Sequence, residues 1–264
     1  MHDPNRPKIS IITCFLNVEP YIHETIQSVL HQEYLNWELV LIDDGSTDRS
    51  TQIAKEYSGR FPEKIIYCEH ENHENRGSGK SRNLGIQLST GSLIAFLDAD
   101  DILLPDMLQA LLKIKQDSAA ALVLEASEYW YDWVDTSRGN EIIEVGTTQN
   151  KLFAPPELMR DLYPLGNGAA PCICGMLAEK SAVLKHGAFD EYFTGMYDDQ
   201  SFLIKFYLHE KVYVSDGCHN RYRQRPGSLV HSSHGLSNYL SERKKFLFWL
   251  KDYLRNEHIS NREI

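Results

Sequence analysis

The sequence predicts an α/β fold in which a mostly parallel central sheet is flanked by helices. Three observations lead to this prediction. In the first half of the chain, short apolar segments rich in β-branched residues alternate with segments of helical spacing. The predicted strands are almost continuously apolar, as in parallel strands that are covered on both faces. Two of the strands end in groups of carboxylates, at the edge of the sheet where ligands bind in doubly wound folds.

The first half contains four predicted strands, each followed by a predicted helix. This alternation implies right-handed crossovers, so the strands belong to one sheet. The predicted strands are residues 9–13, 38–42, 65–68 and 93–97. The predicted helices are an amphipathic segment over residues 21–30, a segment that ends at Tyr57, residues 81–88, and a segment that follows Pro105.

The second half is less regular. A β-hairpin is predicted from residues 129–134 and 141–145, around a turn at residues 138–140. Because no linker or repeat interrupts the chain, we expect one large domain over residues 1–235 and a helical extension over residues 236–264. The remaining predicted elements are a buried strand over 172–178, a helix over 200–209, a strand over 211–215 and a helix over 237–256.

Composition narrows the classes of function and the cellular setting. The 264 residues carry a net charge of −10, which argues against a nucleic-acid partner because such binding needs a basic surface. Five scattered cysteines predict reduced thiols in a cytoplasmic protein, and Cys172 and Cys174 are interpreted as part of a buried strand rather than as metal ligands. The polar, proline-containing start of the chain does not resemble a signal peptide. No apolar run approaches the roughly 18–20 residues that span a bilayer.

The first candidate site follows the fourth predicted strand. Asp98, Asp100 and Asp101 place three carboxylates within four residues, and like charges this close favour a compensating cation. Hard oxygen ligands suit Mg²⁺ or Mn²⁺ and leave coordination positions for phosphate oxygens. The alternative interpretation is a solvated acidic turn that precedes a helix.

The second predicted strand ends in a similar group. The carboxylates of Asp43 and Asp44 are able to accept hydrogen bonds from a base or a ribose, although a strand-to-helix turn with an N-cap explains this motif better when it is taken alone. Further along, residues 75–85 form a basic, glycine-containing loop that enters a helix. Lys80 and Arg82 of this loop are candidate phosphate contacts, or else solvated residues of a helix.

Two later motifs complete the set. Asp198 and Asp199 begin the helix predicted near residue 200, where a carboxylate can act as a general base or simply complement the helix dipole. Arg221, Arg223 and Arg225 alternate, so in an extended segment they point to one side. They would then close over a diphosphate, or form a solvated strand face.

Taken in order, these motifs resemble the family-2 inverting glycosyltransferases with the GT-A fold. Each motif alone is weakly specific, whereas the ordered set is highly specific. The resemblance covers roughly residues 8–230. It rests on residues 9–17, 21–22, 28–32, 43–48, 75–85, 91, 95–101, 187–191 and 198–199.

The resemblance implies a metal-dependent transfer of a sugar from a nucleotide-sugar donor, most often a UDP-sugar, to a carbohydrate or glycolipid acceptor in polysaccharide or glycoconjugate biosynthesis. It implies a nucleotide-binding half at about residues 8–125 and an acceptor-binding half at about 126–235. Asp199 matches the family's base with Asp198 beside it, Asp100 matches the ligand of Mn²⁺ or Mg²⁺, and His231 is a remote candidate for a histidine ligand. The implied nucleotide-sugar contacts are Thr13, Phe15, Asn17, Asp43, Asp44, Arg82, Asp98, Ala99, Arg223 and Arg225.

Other interpretations remain at this point. A non-catalytic nucleotide-sugar-binding protein would share the donor site, and a sugar-1-phosphate nucleotidyltransferase would share the scaffold. The last helix mixes aromatic and basic residues, which suits packing on the domain, a homodimer interface, or peripheral contact with the inner face of a membrane.

Overall fold

A computed structural model describes residues 6–133, 136–225 and 236–259. Its strands are β1 (Ile9–Phe15), β2 (Trp37–Asp43), β3 (Ile65–Glu69), β4 (Leu93–Phe96), β5 (Ile102–Leu103), β6 (Leu122–Leu124), β7 (Ser127–Trp130), β8 (Glu141–Ile143), β9 (Lys151–Phe153), β10 (Met176–Glu179), β11 (Val212–Val214) and β12 (Asn220–Arg223). Its helices are α1 (Ile22–Leu30), α2 (Ser50–Arg60), α3 (Ser78–Leu88), α4 (Met107–Ser118), α5 (Glu157–Asp161), α6 (Lys180–Lys185), α7 (Asp198–His209) and α8 (Leu236–Asn256).

Eight strands form the central sheet, in the order β3-β2-β1-β4-β10-β6-β11-β9. Strands β1 to β4 pair in parallel, with Ile9 opposite Trp37 and Phe15 opposite Asp43. Strand β10 runs antiparallel to both of its neighbours, and β9 is antiparallel to β11. The sheet is therefore mixed but mostly parallel, which confirms the predicted α/β fold. Every residue of β2 is buried, as the apolar run 39–42 predicted, and the carboxylates of Glu38 and Asp43 are buried with it.

The predicted strand over 172–178 is wrong for its first four residues. In the structure β10 begins only at Met176, and Cys172–Gly175 forms a turn closed by a hydrogen bond from Gly175 N–H to the Cys172 carbonyl. This turn passes below the residues that follow β4, where the Sγ atom of Cys174 accepts a hydrogen bond from Asp98 N–H. These four residues therefore contact the acidic turn at residues 98–101, which is remote in sequence, instead of pairing as a strand.

A second sheet has the strand order β5-β12-β7-β8. Its first strand, β5, follows the end of β4 closely in the sequence. The predicted hairpin is confirmed, since β7 and β8 are antiparallel with Ser127 opposite Ile143, but β7 begins two residues before the predicted strand and ends at Trp130, and β8 ends at Ile143. Strand β12 pairs with β5, the strand that directly follows Asp101. This pairing brings Arg223 of β12 to the acidic turn at residues 98–101.

The last helix is integrated into the domain. Phe246 and Leu250 of α8 are buried, and the Phe246 ring stacks on Tyr197 with centroids 4.9 Å apart. Trp249 donates a hydrogen bond from Nε1 to Asp190 at 2.6 Å. Within the described residues, none of the helices is both long enough and apolar enough to cross a bilayer.

Candidate functional site

The site lies at the edge of the sheet where the parallel strands β1, β2 and β4 end and turns begin. These ends meet because the three strands are adjacent in the sheet and point the same way. Polar residues follow each strand, so that side chains far apart in sequence face one edge. The structure thus brings together most of the residues that the sequence singled out.

Asp44 anchors the glycine-containing loop to the end of β2. Its carboxylate accepts hydrogen bonds from the N–H groups of Arg76 and Gly77, at 2.7 Å and 3.0 Å, and from the hydroxyl of Ser81 at 3.0 Å. Gly77 has a φ of +86°, which a side chain would strain, and it immediately precedes α3. Helix α3 begins at Ser78, three residues earlier than predicted. It directly follows the loop whose N–H groups donate to the Asp44 carboxylate.

Asn17 closes the turn that follows β1. Its side-chain oxygen accepts hydrogen bonds from the N–H groups of Thr47 and Asp48, at 2.7 Å and 3.3 Å. Its own backbone has a φ of +52°, a conformation that asparagine tolerates better than most residues. The side chain thus joins the turn after β1 to the turn after β2.

Three of the predicted donor contacts lie below this edge rather than on it. Thr13 and Asp43 have no exposed surface, and Phe15 is only 3% exposed within the hydrophobic core. The Asp43 carboxylate is satisfied internally by Ser46 N–H, at 2.8 Å, and by the hydroxyl of Thr51. Because these side chains face inward, they support the edge and offer no surface to a nucleotide in this arrangement. The direct contacts of Thr13, Phe15 and Asp43 with a nucleotide stay a prediction.

Arg82 is the centre of the site. The guanidinium donates to Asp198 at 2.6 Å and to Asp98 at 2.8 Å, and so joins α3, the end of β4 and the start of α7. Burial alone would lower the pKa of Arg82, but Asp198 and Asp98 outweigh burial and raise it above its ordinary value. Ser78 donates a second hydrogen bond to Asp198. Asp198 is therefore fully engaged in holding the site together.

Asp199 is placed differently from its neighbour. Among the described residues, its carboxylate accepts one hydrogen bond from another residue, Gln200 N–H at 2.7 Å, in the first turn of α7, and its backbone N–H donates to Asp198 at 2.8 Å. Burial raises the pKa of Asp199 to about 6, with a further contribution from Asp198, while Arg82 acts in the opposite direction. A carboxylate with a pKa near 6 is ionised at neutral pH and still basic enough to accept a proton.

Two of the three alternating arginines reach the acidic turn, Arg223 in β12 and Arg225 just after it, whereas Arg221 pairs with Glu128 at 2.6 Å. Arg223 donates from Nε to the carbonyl of Asp100, at 2.6 Å, and from its backbone N–H to Asp101, at 2.8 Å. Its guanidinium also lies 4.2 Å from the ring centroid of Trp130, and its side chain is buried. Arg225 donates from Nε to the carboxylate of Asp100 at 2.6 Å and is more exposed than Arg223. Arg225 is thus the more accessible of the two arginines, whereas Arg223 braces the turn.

The residues at the acidic turn fit a divalent cation. Burial raises the pKa of the Asp100 carboxyl, and the nearby charge of Asp98 raises it further, while Arg225 lowers it. Two hard carboxylates that repel one another in this way are suitable ligands for Mg²⁺ or Mn²⁺. Asp101 has a different role, because it is completely buried and its oxygens are taken up by Arg223 N–H and the Cys174 thiol. Ala99 is also buried, and His231 lies outside the described residues.

Three cysteines near the site were not predicted there. Ligand atoms of Cys172, Cys174 and Asp101 lie within 4.8 Å of one another, but Cys174 already donates to Asp101 at 3.2 Å. Cys14, at the end of β1, lies among the same charges as Arg82, and its burial raises the pKa of the thiol to about 12. Cys14 follows Thr13 in a strand that ends at the site. This position in the sequence would have predicted that Cys14 lies near the site.

Comparison with known proteins identifies the family. Residues 10–193 match the model of the family described as Glycosyl transferase family 2. The chain belongs to this family. Among the curated relatives of this family-2 chain, alr2836 of Nostoc sp. is 35% identical over 158 residues, which are 59% of this chain and 44% of the relative. TuaG of Bacillus subtilis, named for teichuronic acid biosynthesis, is 35% identical over 118 residues, which are 44% of this chain and 45% of TuaG.

The chain therefore spans less than half the length of these two relatives. GlyG of Streptococcus pneumoniae, named a glycosyltransferase, is matched more completely, with 26% identity over 87% of this chain and 75% of GlyG.

Solved structures confirm the GT-A fold expected for a member of family 2. S. aureus TarS 1–349 in complex with UDP-GlcNAc superposes with a TM-score of 0.64 at 22% identity, over 86% of this chain and 62% of TarS 1–349. The mannosyltransferase PcManGT of Pyrobaculum calidifontis, in complex with GDP-Man and Mn²⁺, superposes with a TM-score of 0.58 at 16% identity, over 86% of this chain and 59% of PcManGT.

Proposed function

We propose that this chain is an inverting glycosyltransferase that moves a sugar from a UDP-sugar donor to an acceptor hydroxyl. The observation that carries the proposal is the carboxylate of Asp199, whose pKa is raised to about 6 within the carboxylate–arginine cluster at the end of the parallel strands. A group with this pKa next to a ligand-binding edge is suited to general base catalysis. Family membership supports the same reaction.

The donor binds, in this proposal, across the ends of β2 and β4. Asp44 and the loop that it anchors face the nucleoside, Asp98 lies near the ribose and the sugar, and Arg225 faces the diphosphate. The complexes of TarS with UDP-GlcNAc and of PcManGT with GDP-Man support a nucleotide-sugar donor. Asn17 and Arg82 hold the turns on which these contacts depend.

Asp100 would hold Mn²⁺ or Mg²⁺, with Asp98 beside it. The PcManGT complex contains Mn²⁺ and so supports a metal requirement. When bound, the metal neutralises negative charge that develops on the departing diphosphate. Arg225 contributes positive charge at the same place, since its guanidinium is fixed by the Asp100 carboxylate.

Asp199 accepts the proton of the acceptor hydroxyl. The hydroxyl oxygen then forms a bond to the anomeric carbon while the bond from that carbon to the diphosphate oxygen breaks, and the electron pair leaves with the nucleotide. One base and no covalent sugar intermediate give inversion of configuration. Asp198 is a positioning residue in this scheme, because Arg82 and Ser78 occupy its carboxylate.

The biological setting follows from the same proposal. We assign the acceptor to a growing polysaccharide or glycoconjugate, either a carbohydrate or a glycolipid, and the name of TuaG supports a role in polysaccharide biosynthesis. All five cysteines are free thiols in the structure, which supports a cytoplasmic location. The net charge of −10 still argues against a nucleic-acid partner. Whether the chain forms a homodimer is tested by measuring its mass in solution.

The experiment is to measure nucleotide release and sugar transfer from a panel of UDP-sugars, for the wild type and for Asp199→Asn. We expect Asp199→Asn to lower turnover by about 10²–10⁴-fold while donor affinity changes little. Asp216→Asn is the matched control, because Asp216 is an exposed carboxylate in the loop after β11. Full turnover by Asp199→Asn would exclude Asp199 as the base. Donor binding by the wild type without any transfer or hydrolysis would favour a non-catalytic nucleotide-sugar-binding protein.

A further inference from the structure

Helix α8 has two faces that differ in environment. Its inner face packs on the domain, where Phe246 and Leu250 are buried and Tyr239 shares a hydrogen bond with Tyr163 at 2.9 Å. Its outer face is exposed. Because the inner face is packed on the domain, the fold determines which residues of the helix face outward.

The outer face carries a stripe of apolar and basic side chains. Residues at 3.6 per turn place six of these side chains within an arc of about 100°. Leu240, Leu247 and Phe248 are 54%, 40% and 56% exposed, which is unusual for large apolar side chains grouped on one helix face. The basic–apolar stripe consists of Leu240, Lys244, Leu247, Phe248, Lys251 and Arg255.

The charge of the stripe contrasts with that of the chain. The whole sequence has a net charge of −10, yet the stripe contains three cations and no carboxylate. Within the described part of the chain, no ion pair joins Lys244 or Lys251 to an acidic residue. Arg255 pairs with Asp252 at 3.4 Å, but both side chains are about two-thirds exposed, so this pair is weak. The stripe therefore presents positive charge to whatever covers it.

We infer that the stripe docks on the surface of an anionic lipid bilayer, with Leu240, Leu247 and Phe248 inserted between headgroups. Basic and apolar residues on one side of a helix bind such surfaces through both electrostatic attraction and apolar burial. A second copy of this chain fits less well. A two-fold interface formed by the stripe would place two sets of three cations against one another.

The docked helix lies directly behind the candidate site. The Phe246 ring on its inner face stacks on Tyr197, the residue that immediately precedes Asp198 and Asp199. The Tyr197 hydroxyl in turn bonds with Tyr163, which bonds with Tyr239 of α8. A bilayer on the outer face would thus hold the start of α7 at a fixed, short distance from the membrane. Docking itself requires neither donor nor acceptor.

The test is co-sedimentation of the full chain with vesicles, either of phosphatidylcholine alone or with 30% phosphatidylglycerol. We expect binding to the anionic vesicles only, weakened by 0.5 M NaCl because added salt screens the attraction. Each cation removed should lower the partition coefficient about fivefold, so Lys244→Gln/Lys251→Gln should lower it by roughly 25-fold. Phe248→Ser should also weaken binding, and circular dichroism should show that the fold is unchanged.

Matched controls separate this stripe from net charge. Lys113 on α4 and Lys211 before β11 are also exposed, so Lys113→Gln/Lys211→Gln removes the same charge elsewhere on the surface. This control should bind as the wild type does. Binding that falls equally in both double variants, or no binding to anionic vesicles, would overturn the inference. A dimer that dissociates in Phe248→Ser, together with no vesicle binding, would assign the stripe to a second copy instead.

Discussion

Replacing Arg82 by methionine should destabilise the protein strongly, because methionine leaves the Asp198 carboxylate buried without its cation. The two side chains are 9% and 7% exposed and are joined at 2.6 Å. The second partner of Arg82 is Asp98, at 2.8 Å, and that side chain is 31% exposed. The two carboxylates therefore offer an internal comparison between a buried and a partly solvated partner of one guanidinium.

The expected magnitudes follow from this difference in burial. Removing one member of a buried ion pair costs about 3–5 kcal/mol, since the remaining charge is left without compensation. Arg82→Met and Asp198→Asn should each lower the free energy of unfolding by about that amount. Asp98→Asn should lower it by about 1 kcal/mol or less, because water solvates the exposed carboxylate and screens its attraction.

The assay is urea unfolding at pH 7, followed by circular dichroism, for the three single variants and for Arg82→Met/Asp198→Asn. The double variant should lose at least about 1 kcal/mol less than the sum of its two single variants, because the residues contact each other. Equal losses for Asp98→Asn and Asp198→Asn, or simple additivity in the double variant, would refute the view that Asp198 and Arg82 form the buried centre of the site.

Two further predictions concern the base and the helix that carries Arg82. Burial raises the pKa of Asp199 to about 6, so kcat/KM should rise about tenfold per pH unit below pH 6 and level off above it; a profile that is flat from pH 5 to 7 would argue against this base. A Cβ atom on Gly85 of α3 would lie 2.4 Å from Ile12 Cγ2, whereas one on Gly59 of α2 would meet nothing within 4 Å. In thermal and urea unfolding, Gly85→Ala should therefore be about 1–3 kcal/mol less stable than Gly59→Ala, and equal stabilities would contradict the close approach of α3 to β1.

The sequence predicted those parts of the site that depend on local pattern. Continuous apolar strands and the polar residues after them placed Asp44 and Asp98 at one edge, because parallel strands end together. The alternation of Arg223 and Arg225 likewise predicted that both would reach the same place, and both contact Asp100.

What the sequence did not predict depends on contacts between distant segments. The bond from Arg82 to Asp198 spans 116 residues, and no local pattern distinguishes Asp198, which is committed to this bond, from Asp199, which is not. The inward direction of Phe15 follows from the register of β1 against β2, which places it opposite Asp43. The turn at Cys172–Gly175 was predicted as strand because its apolar composition suits burial in either form.

The start of helix α3 was not predicted for a related reason. Helix α3 begins at Ser78, directly after a loop whose Arg76 and Gly77 N–H groups donate to Asp44, which lies 33 residues before Gly77. A contact with so distant an element leaves no trace in the neighbouring sequence. The polar residues before α3 therefore predicted a loop.

Calorimetric titration is the most direct test of the proposed metal-assisted donor site at the ends of β2 and β4. UDP, GDP, CMP and dTDP would each be titrated with and without Mn²⁺, into the wild type, Asp100→Ala and the control Asp216→Asn. We predict that UDP binds the wild type and the control more tightly when Mn²⁺ is present, and that Asp100→Ala loses this gain. If none of the four nucleotides binds the wild type at millimolar concentration under either condition, the proposed donor site is contradicted.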